Sequence, residues 1–199
     1  MTSPVSAMTR QLSRSQAQRR QKIIDAALAL CRSEGHAQTQ MRDIADASGL
    51  ALGTVYRYFP SKELLLASVF EAWCEDYWDM LGIASEGQAN MDRLIDLTCR
   101  SAQAYIDEPN ILLMINSLRA SSEPAIVEKF TAIAQRAARF FLDNLHGLPD
   151  EAAAGIVDTV FCVLQVKLSV WAAEQIPTEQ VYQDIAKTVR LLLEFRDET

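Results

Sequence analysis

Glycine and proline are scarce in this chain and fall between long stretches whose apolar residues recur every three or four positions. The internal prolines are Pro60, Pro109, Pro124, Pro149 and Pro177. Proline lacks an amide hydrogen and opposes continuation of a helix, so these positions mark breaks. No run of strand length alternates between apolar and polar residues. The spacing predicts an all-α protein of about nine helices.

The first predicted helix runs from Gln16 to Glu34 and ends at Gly35, which can adopt a left-handed conformation. Thr39 offers an N-cap oxygen to a second helix, Met41–Ser48. Because both limits follow from local capping chemistry, they are predicted without reference to the rest of the fold.

A third, short helix follows the turn at Gly49 and ends near Pro60, and Ser61 can cap the fourth. Two short helices around a glycine turn indicate a helix-turn-helix. The prediction is a basic flexible arm in residues 1–15, a helix-turn-helix head in 16–60 and a helical ligand-binding and dimerisation body in 61–199. The remaining helices of the body are predicted at Met91–Asp107, Asn110–Ser121, Ser122–Leu145, Asp150–Gln175 and Thr178–Phe195.

Charge is divided unevenly along the chain. The net charge of −7 disfavours a nucleic acid as a partner of the chain as a whole. Residues 1–60, however, hold eight Arg and Lys against four acidic residues, whereas residues 61–199 hold 11 against 22. Only this basic head is expected to meet DNA. Four of its arginines are expected to form a mobile arm that becomes ordered on DNA: Arg10, Arg14, Arg19 and Arg20.

Three further classes of protein are disfavoured. Residues 1–20 lack the apolar block of a signal peptide, and charges interrupt every run of about 18 residues, so a cytoplasmic protein without a membrane partner is expected. His36 and His146 are the only histidines and no nucleophile motif accompanies them, so no catalytic residue, metal or cofactor is expected. The four widely spaced cysteines are interpreted as buried thiols: Cys31, Cys74, Cys99 and Cys162.

The head contains three segments of a recognisable pattern. They are Arg42-Asp43-Ile44-Ala45, Gly49-Leu50 and Gly53-Thr54-Val55-Tyr56-Arg57-Tyr58-Phe59-Pro60-Ser61-Lys62-Glu63-Leu64. The pattern resembles the DNA-binding domain of the TetR family of regulators over about residues 18–72. The stretches Gln40-Met41-Arg42 and Gly53 to Lys62 are also similar to those of actinobacterial regulators of steroid breakdown. The body resembles the family only in length and helical pattern. Gln40 departs from the pattern, since many members have a second threonine there.

The resemblance implies a homodimer on a palindromic operator in double-stranded DNA. Within the third helix, Gly53 permits close approach to the duplex, Thr54 can contact a base edge, and Arg57 can pair with guanine. Tyrosine and threonine hydroxyls and a lysine would contact phosphate. The predicted DNA-binding residues are Arg19, Thr39, Gln40, Leu52, Gly53, Thr54, Tyr56, Arg57, Tyr58 and Lys62. Alternatively, one of the two tyrosines packs on the first helix, and Arg57 is a solvated surface charge.

The last two helices carry apolar residues on most of their faces, so both must be covered on most sides. As the family resemblance also implies, they are predicted to form a four-helix dimer interface. The predicted interface residues are Ile156, Val160, Val163, Leu164, Trp171, Val181, Ile185, Val189 and Leu192. Alternatively, these side chains only close the core of the monomer.

A ligand site is predicted between the fourth and eighth helices, where bulky apolar residues meet few polar groups. The predicted lining is Trp73, Trp78, Met91, Leu94, Tyr105, Leu113, Met114, Phe130, Phe140, Phe141, Phe161 and Gln165. Any of these residues could instead belong to a plain core. The predicted function is that of a regulator, typically a repressor, released from DNA by a small apolar or amphipathic effector. Two alternatives remain open: a DNA-binding regulator that answers to a protein partner, and a helical enzyme.

Overall fold

The fold is known from a computed structural model, which describes residues 13–81, 90–145 and 149–194. Every regular element within these ranges is an α-helix, so the predicted all-α fold of about nine helices is confirmed. The helices are α1 (Arg14–Glu34), α2 (Met41–Ser48), α3 (Leu52–Tyr58), α4 (Lys62–Leu81), α5 (Asn90–Asp107), α6 (Pro109–Arg119), α7 (Pro124–Asp143), α8 (Asp150–Ala172) and α9 (Thr178–Glu194).

Helix α1 begins two residues before the predicted start because Ser13 and Gln16 form a capping box. The Gln16 amide donates to the Ser13 hydroxyl oxygen at 3.3 Å, and the Ser13 amide donates to the Gln16 side-chain oxygen at 2.8 Å. Arg14 is therefore the first helical residue and is not part of an arm.

The prediction that Arg19 and Arg20 belong to a mobile arm is also wrong, since both lie within α1. The guanidinium of Arg20 donates to the Ser68 hydroxyl at 3.2 Å and lies 5.2 Å from the centre of the Phe59 ring. Arg10 and most of the predicted arm lie outside the described residues. The basic residues that the structure describes are thus fixed on the helical frame of the head.

Helices α2 and α3 form the predicted helix-turn-helix, and Gly49 makes the turn with φ +68° and ψ +27°. The Leu50 amide donates to the Ala45 carbonyl at 3.1 Å, and the Gly49 amide donates to that of Asp46 at 3.2 Å. These two hydrogen bonds form a Schellman motif, in which the left-handed position favours glycine. The predicted cap of α4 is confirmed by a 3.2 Å hydrogen bond from the Leu64 amide to the Ser61 hydroxyl.

Helices α6 and α7 each begin at a proline, Pro109 and Pro124, rather than at the predicted Asn110 and Ser122. Proline is well placed in the first position of a helix because the amide there has no partner within the helix. The predicted end of the ninth helix, Phe195, lies outside the described residues.

The head and the body share one continuous apolar core. Val55 and Phe59 of the helix-turn-helix pack in the same cluster as Phe70 of α4 and Ile111 and Met114 of α6. Because Phe70, Ile111 and Met114 belong to the body, a displacement in the body is transmitted directly to the packing of the head.

Helices α8 and α9 pack against each other and against α5, and their large apolar residues close the monomer. The interface prediction is wrong for six residues, because their side chains are buried within this chain: Ile156, Val160, Leu164, Val181, Ile185 and Val189. Val163, Trp171 and Leu192 are half-buried. The Trp171 indole donates to the Thr178 hydroxyl at 3.0 Å, which fixes it at the turn between the two helices.

The exposed side of α8 carries small and β-branched residues. Gly155, Thr159, Cys162 and Val166, here called the α8 stripe, are all exposed and lie four, three and four positions apart. Cys162 is therefore not a buried thiol as predicted, while Cys31 and Cys74 are buried and Cys99 is half-buried. Helix α8 is long and apolar enough to cross a membrane. Its opposite face packs in the core of the body.

Candidate nucleic-acid interface and ligand cavity

Helix α3 has one buried face and one exposed face. Val55 is buried on the inner side, and the next residue after the helix, Phe59, is buried with it. Leu52, Gly53 and Arg57 are exposed on the outer side. The outer face of this seven-residue helix is therefore free to enter a groove of about its own width.

Gly53 has no structural role that explains its lack of a side chain. A Cβ atom built at this position meets no other atom within 4 Å. Glycine in a helix costs roughly 0.5–1 kcal/mol relative to alanine. The protein thus retains a helix-destabilising residue on the exposed face of α3. A duplex bound at this face would need the helix backbone to approach it closely.

The three candidate contact residues at the end of α3 differ in their surroundings. Tyr56 is 48% exposed. Tyr58 is half-buried and packs against the apolar core of the head, so the alternative of a packing role applies to Tyr58. The guanidinium of Arg57 lies 5.6 Å from the centre of the Tyr58 ring, and no ion pair involves Arg57 within the described ranges.

Thr39 is not available for DNA, and both predictions made for it are wrong. Its side chain is fully buried, and its hydroxyl donates to the Gly35 carbonyl at 3.0 Å. The N-cap of α2 is Gln40, whose backbone amide donates to the Asp43 carboxylate at 3.0 Å. Thr39 therefore closes the turn between α1 and α2, while the exposed Gln40 stays a candidate for phosphate contact.

The remaining candidates lie on α3 or beside it. Arg19 is exposed on α1, and Thr54 and Lys62 are half-buried. Desolvation and then the nearby charge of Lys62 lower the pKa of His36, in the turn after α1. Lys62 thus adds positive charge beside the N-terminal part of the helix-turn-helix.

A cavity of about 600 Å³ lies in the body, enclosed by α4, α5, α6, α7 and α8. Seven predicted residues line it: Trp73, Trp78, Tyr105, Phe130, Phe141, Phe161 and Gln165. Thr131, Ala134, Cys162 and Val166 line it too and are exposed, so the cavity opens to solvent between α7 and α8.

Five predicted lining residues lie elsewhere. Met91, Leu94 and Phe140 pack in a core beside α9, Met114 is buried in the core shared with the head, and Leu113 is 47% exposed. The residues that the prediction missed include small and polar ones: Phe70, Cys74, Tyr77, Ser101, Arg119, Thr131, Ile133, Ala134, Ala137, Cys162, Leu164 and Val166. A signal for three of them existed, since Phe70, Cys74 and Tyr77 recur at helical spacing with the predicted Trp73 on α4.

Stacked aromatic rings form one wall of the cavity. The Trp73 ring centre lies 5.8 Å from that of Tyr77 and 4.9 Å from that of Tyr105. Burial raises the pKa of Tyr77 to about 12 and raises the pKa of Tyr105, so both phenols are neutral at physiological pH. The Tyr77 hydroxyl is buried without a hydrogen bond of normal geometry, although Ser101 is close enough to lower its pKa.

Arg119 is the one charged side chain that lines this cavity among the described residues. Its guanidinium lies 5.7 Å from the centre of the Phe130 ring. Desolvation lowers its pKa. Its cationic neighbours on α7 have acidic partners, since Lys129 and Arg136 each form a 2.7 Å ion pair with α4.

A polar junction connects this cavity to α1. The Trp73 indole, which lines the cavity, donates to the Glu108 carboxylate at 3.0 Å. The same carboxylate accepts two hydrogen bonds from Arg32 in the last turn of α1, at 2.5 and 2.8 Å. Burial alone would raise the pKa of Glu108, but the hydrogen bonds from Arg32 and Trp73 outweigh burial and lower it. The junction thus contains a charged carboxylate between a cavity wall and the head.

Two comparisons relate the chain to known regulators. Residues 23–69 match the family model described as "Bacterial regulatory proteins, tetR family". The chain is 26% identical over 182 residues to the HTH-type transcriptional repressor KstR of Rhodococcus jostii. These aligned residues cover 91% of this chain and 85% of that protein. The chain therefore contains a DNA-binding domain of the TetR family.

Other TetR-family proteins show how similarity is distributed. The KstR repressor of Mycobacterium tuberculosis is 48% identical over 56 residues, which are 28% of this chain and 26% of that protein. A TetR transcriptional regulator from Rhodococcus sp. has the same fold, with a TM-score of 0.75, 23% identity and coverage of 91% and 98% of the two chains. A Thermus thermophilus FadR structure, in complex with lauroyl-CoA, has a TM-score of 0.65, 24% identity and coverage of 88% and 93%.

The TetR-family assignment gives the helix-turn-helix its role. This chain is a DNA-binding regulator, and α3 is the second helix of the motif, which in such proteins lies in the major groove. The predicted similarity to actinobacterial members is confirmed by relatives from Rhodococcus and Mycobacterium. Within the described ranges, no group of three His, Cys, Asp or Glu side chains is placed to hold a metal ion.

Proposed function

We propose that this protein is a homodimeric repressor that binds a palindromic operator through α3 of each protomer and leaves it when an apolar or amphipathic effector occupies the cavity. The observation that carries the DNA-binding part is the exposed face of α3, with a glycine that no packing within the protein requires. Named relatives are transcriptional repressors, and one solved neighbour binds lauroyl-CoA. The proposed site of action is the cytoplasm, and the proposal includes no catalytic activity.

Sequence readout is assigned to Arg57. Its planar guanidinium can form two parallel hydrogen bonds with guanine in the major groove, and the ring of Tyr58 supports it from one side. Tyr56, Gln40 and Lys62 are assigned to phosphate, because their hydroxyl, amide and ammonium groups can position the helix without reading the sequence.

The proposed dimer interface is the α8 stripe rather than the large apolar residues of α8 and α9. Its four residues are exposed in the single chain, and Val166 is 59% exposed. A Cβ atom built on Gly155 meets nothing within 4 Å, so a partner helix could approach closely there. Pairing two copies of α8 and α9 would form a four-helix arrangement with two-fold symmetry.

Effector binding is proposed to reach the head through the junction at Glu108. An effector that displaces Trp73 would strain the hydrogen bond from its indole to Glu108. Because Glu108 also binds Arg32, the strain would reach α1, which packs against the helix-turn-helix. A shift in the spacing of the two heads would remove one α3 from its half-site, because successive major-groove sites recur about 34–36 Å apart. We expect Glu108→Gln to keep operator and effector binding but to reduce the effect of the effector on operator affinity. Equal coupling in both proteins would refute this route.

Selection of bound fragments from a random duplex pool tests the main proposal. We expect a palindromic sequence whose affinity falls steeply with salt, since the contacts to phosphate release counterions. Repeating the selection after adding hydrophobic compounds that raise the melting temperature should deplete the bound fragments. A protein without preference among duplexes at low salt would overturn the proposal. Operator binding that no such compound changes would favour a protein partner as the effector.

Cysteine cross-linking tests the proposed interface separately. Two copies of Cys162 would face each other across a two-fold axis that crosses the α8 stripe. A short bismaleimide is therefore expected to link the protomers, and Cys162→Ser should abolish the product while Cys99→Ser retains it. A dimer in solution that does not cross-link through Cys162 would show that another surface forms the interface.

A further inference from the structure

The cavity contains a cation without an acidic partner. Of the side chains that line it in the described residues, Arg119 alone is charged, and no ion pair within these ranges involves it. Its guanidinium contacts the face of Phe130, which is also part of the lining. One face of the guanidinium is thereby supported, while its edge donors are left for another group.

Neighbouring cations do not share this property. Lys129 and Arg136 lie on the same side of the body, and each is neutralised by a glutamate of α4 at 2.7 Å. The two glutamates of α4 that form these pairs, Glu71 and Glu75, are thus already occupied. The Arg119 side chain is exposed where it lines the apolar cavity, so its edge donors can pair with an anionic group whose apolar part enters the cavity.

We propose that the effector is an anionic amphiphile whose anionic group pairs with Arg119 while its apolar body lies among the aromatic rings. The proposal rests on the proposed function of the cavity as the effector site. The planar fork of arginine suits bidentate contact with a carboxylate or phosphate oxygen pair. The buried hydroxyl of Tyr77 provides a second polar point, which a carbonyl or hydroxyl on the body of the effector can satisfy.

The size and lining of the cavity fit such a molecule. A volume of about 600 Å³ is within the range of small-molecule sites, about 300–1,000 Å³. Because the rest of the lining is aromatic, aliphatic or uncharged, a molecule with charges at both ends would leave one charge unpaired. A single anionic group at one end of an apolar body satisfies both observations.

Binding of three probes with one apolar chain tests this inference. Dodecanoate has a carboxylate, methyl dodecanoate has the same chain without charge, and lauroyl-CoA carries phosphates at a distance from the chain. We expect calorimetry to show that at least one of the two anions binds about 10-fold to 100-fold more tightly than the ester. Whichever of dodecanoate and lauroyl-CoA binds more tightly shows whether the anion comes from a free acid or from a thioester.

Variants assign that preference to Arg119. Arg119→Met should reduce affinity for the preferred anion by about 10-fold or more and leave the ester unchanged. Arg119→Lys should lose part of the affinity, because it keeps the charge without the planar fork. Arg136→Met is the matched control, since Arg136 lies 5.3 Å from the ring of Trp78 and is absent from the lining. Its anion affinity should stay within about threefold of the original protein.

The inference is overturned if neither anion binds more tightly than the ester, whether all three probes bind equally or none binds. It is also overturned if Arg119→Met retains the preference. Operator binding by the unliganded protein is measured in parallel, so failure of the DNA-binding proposal is seen independently of failure of anion recognition.

Discussion

Replacing Gly53 with alanine should change stability and DNA binding in opposite directions. The new methyl group meets no atom of the protein within 4 Å, so it creates no clash. Alanine loses less backbone entropy on folding than glycine, and replacements of this kind stabilise proteins by about 0.4–1 kcal/mol. Because Gly53 lies in the first turn of α3, where helix propensity counts less, we expect a gain of roughly 0.5 kcal/mol per protomer.

On DNA, the same methyl group would lie between α3 and the groove. An extra carbon in a close-packed contact costs about 1–3 kcal/mol. A dimer incurs this cost at both half-sites, roughly 2–6 kcal/mol in total, which is a loss of about 30-fold or more in operator affinity. Urea unfolding should thus show a more stable protein, while fluorescence anisotropy with a labelled operator shows weaker binding.

Ser33→Ala is the control for this experiment, since Ser33 is exposed near the end of α1, outside α3, and its hydroxyl bonds only to carbonyls of its own helix. It should leave operator affinity unchanged. The reasoning is refuted if Gly53→Ala binds the operator as tightly as the original protein, because α3 would then not approach the groove at this position. A destabilised Gly53→Ala protein would show that the glycine has a role within the fold.

Three further predictions concern other parts of the molecule. Arg57→Ala should reduce discrimination at one base pair by roughly 1–3 kcal/mol, whereas Lys62→Ala should weaken all sequences alike and flatten the salt dependence; unchanged site preference in Arg57→Ala would contradict the readout assignment. Val166→Glu should yield monomers in sedimentation experiments, while Val127→Glu, at a valine of 48% exposure on α7, should not; equal behaviour of the two would exclude the α8 stripe. The lowered pKa of Glu108 means that its charged form stabilises the fold above its ordinary pKa of 4.5 and that this stabilisation is lost as the pH falls through the lower, folded pKa. Glu108→Gln should therefore be about 1 kcal/mol less stable to urea at neutral pH, with the difference shrinking in acid; a difference independent of pH would contradict this assignment.

Helix number, order and most helix limits could be predicted because they depend on local chemistry. Prolines, the glycine turn at Gly49 and the cap at Ser61 act within a few residues of their own position. The outer face of α3 could be predicted for the same reason, since its buried and exposed residues alternate with the period of a helix.

Local rules failed where tertiary contacts competed with them. Thr39 fits the pattern of an N-cap, yet burial against the turn after α1 directs its hydroxyl to the Gly35 carbonyl. Arg20 fits a solvated arm, yet it contacts the ring of Phe59 and the hydroxyl of Ser68. The Thr39 hydroxyl thus bonds to a carbonyl four residues earlier instead of capping α2, and the Arg20 guanidinium finds partners distant in the sequence instead of solvent.

The assignment of α8 failed for a different reason. A helix that is apolar on nearly all sides has no period that separates a core face from an interface face. Packing against α5 and α9 took Ile156, Val160 and Leu164 into the monomer and left small residues outside. Residue size therefore misled the prediction, since the exposed stripe contains glycine, threonine and cysteine.

Spacing along the chain was enough to assign the helices, the turn of the DNA-binding motif and the family, because each depends on neighbours within one or two helical turns. The cavity and its cation depended on the packed body. Phe130 lines a void while Phe140 fills a core, although both are phenylalanines of one helix. Arg119 became a candidate for anion binding only because folding gave the acids near it to other partners. Such differences depend on which helices pack together. A contact between distant segments does not change the hydrophobic periodicity of either segment, so the sequence pattern does not reveal it.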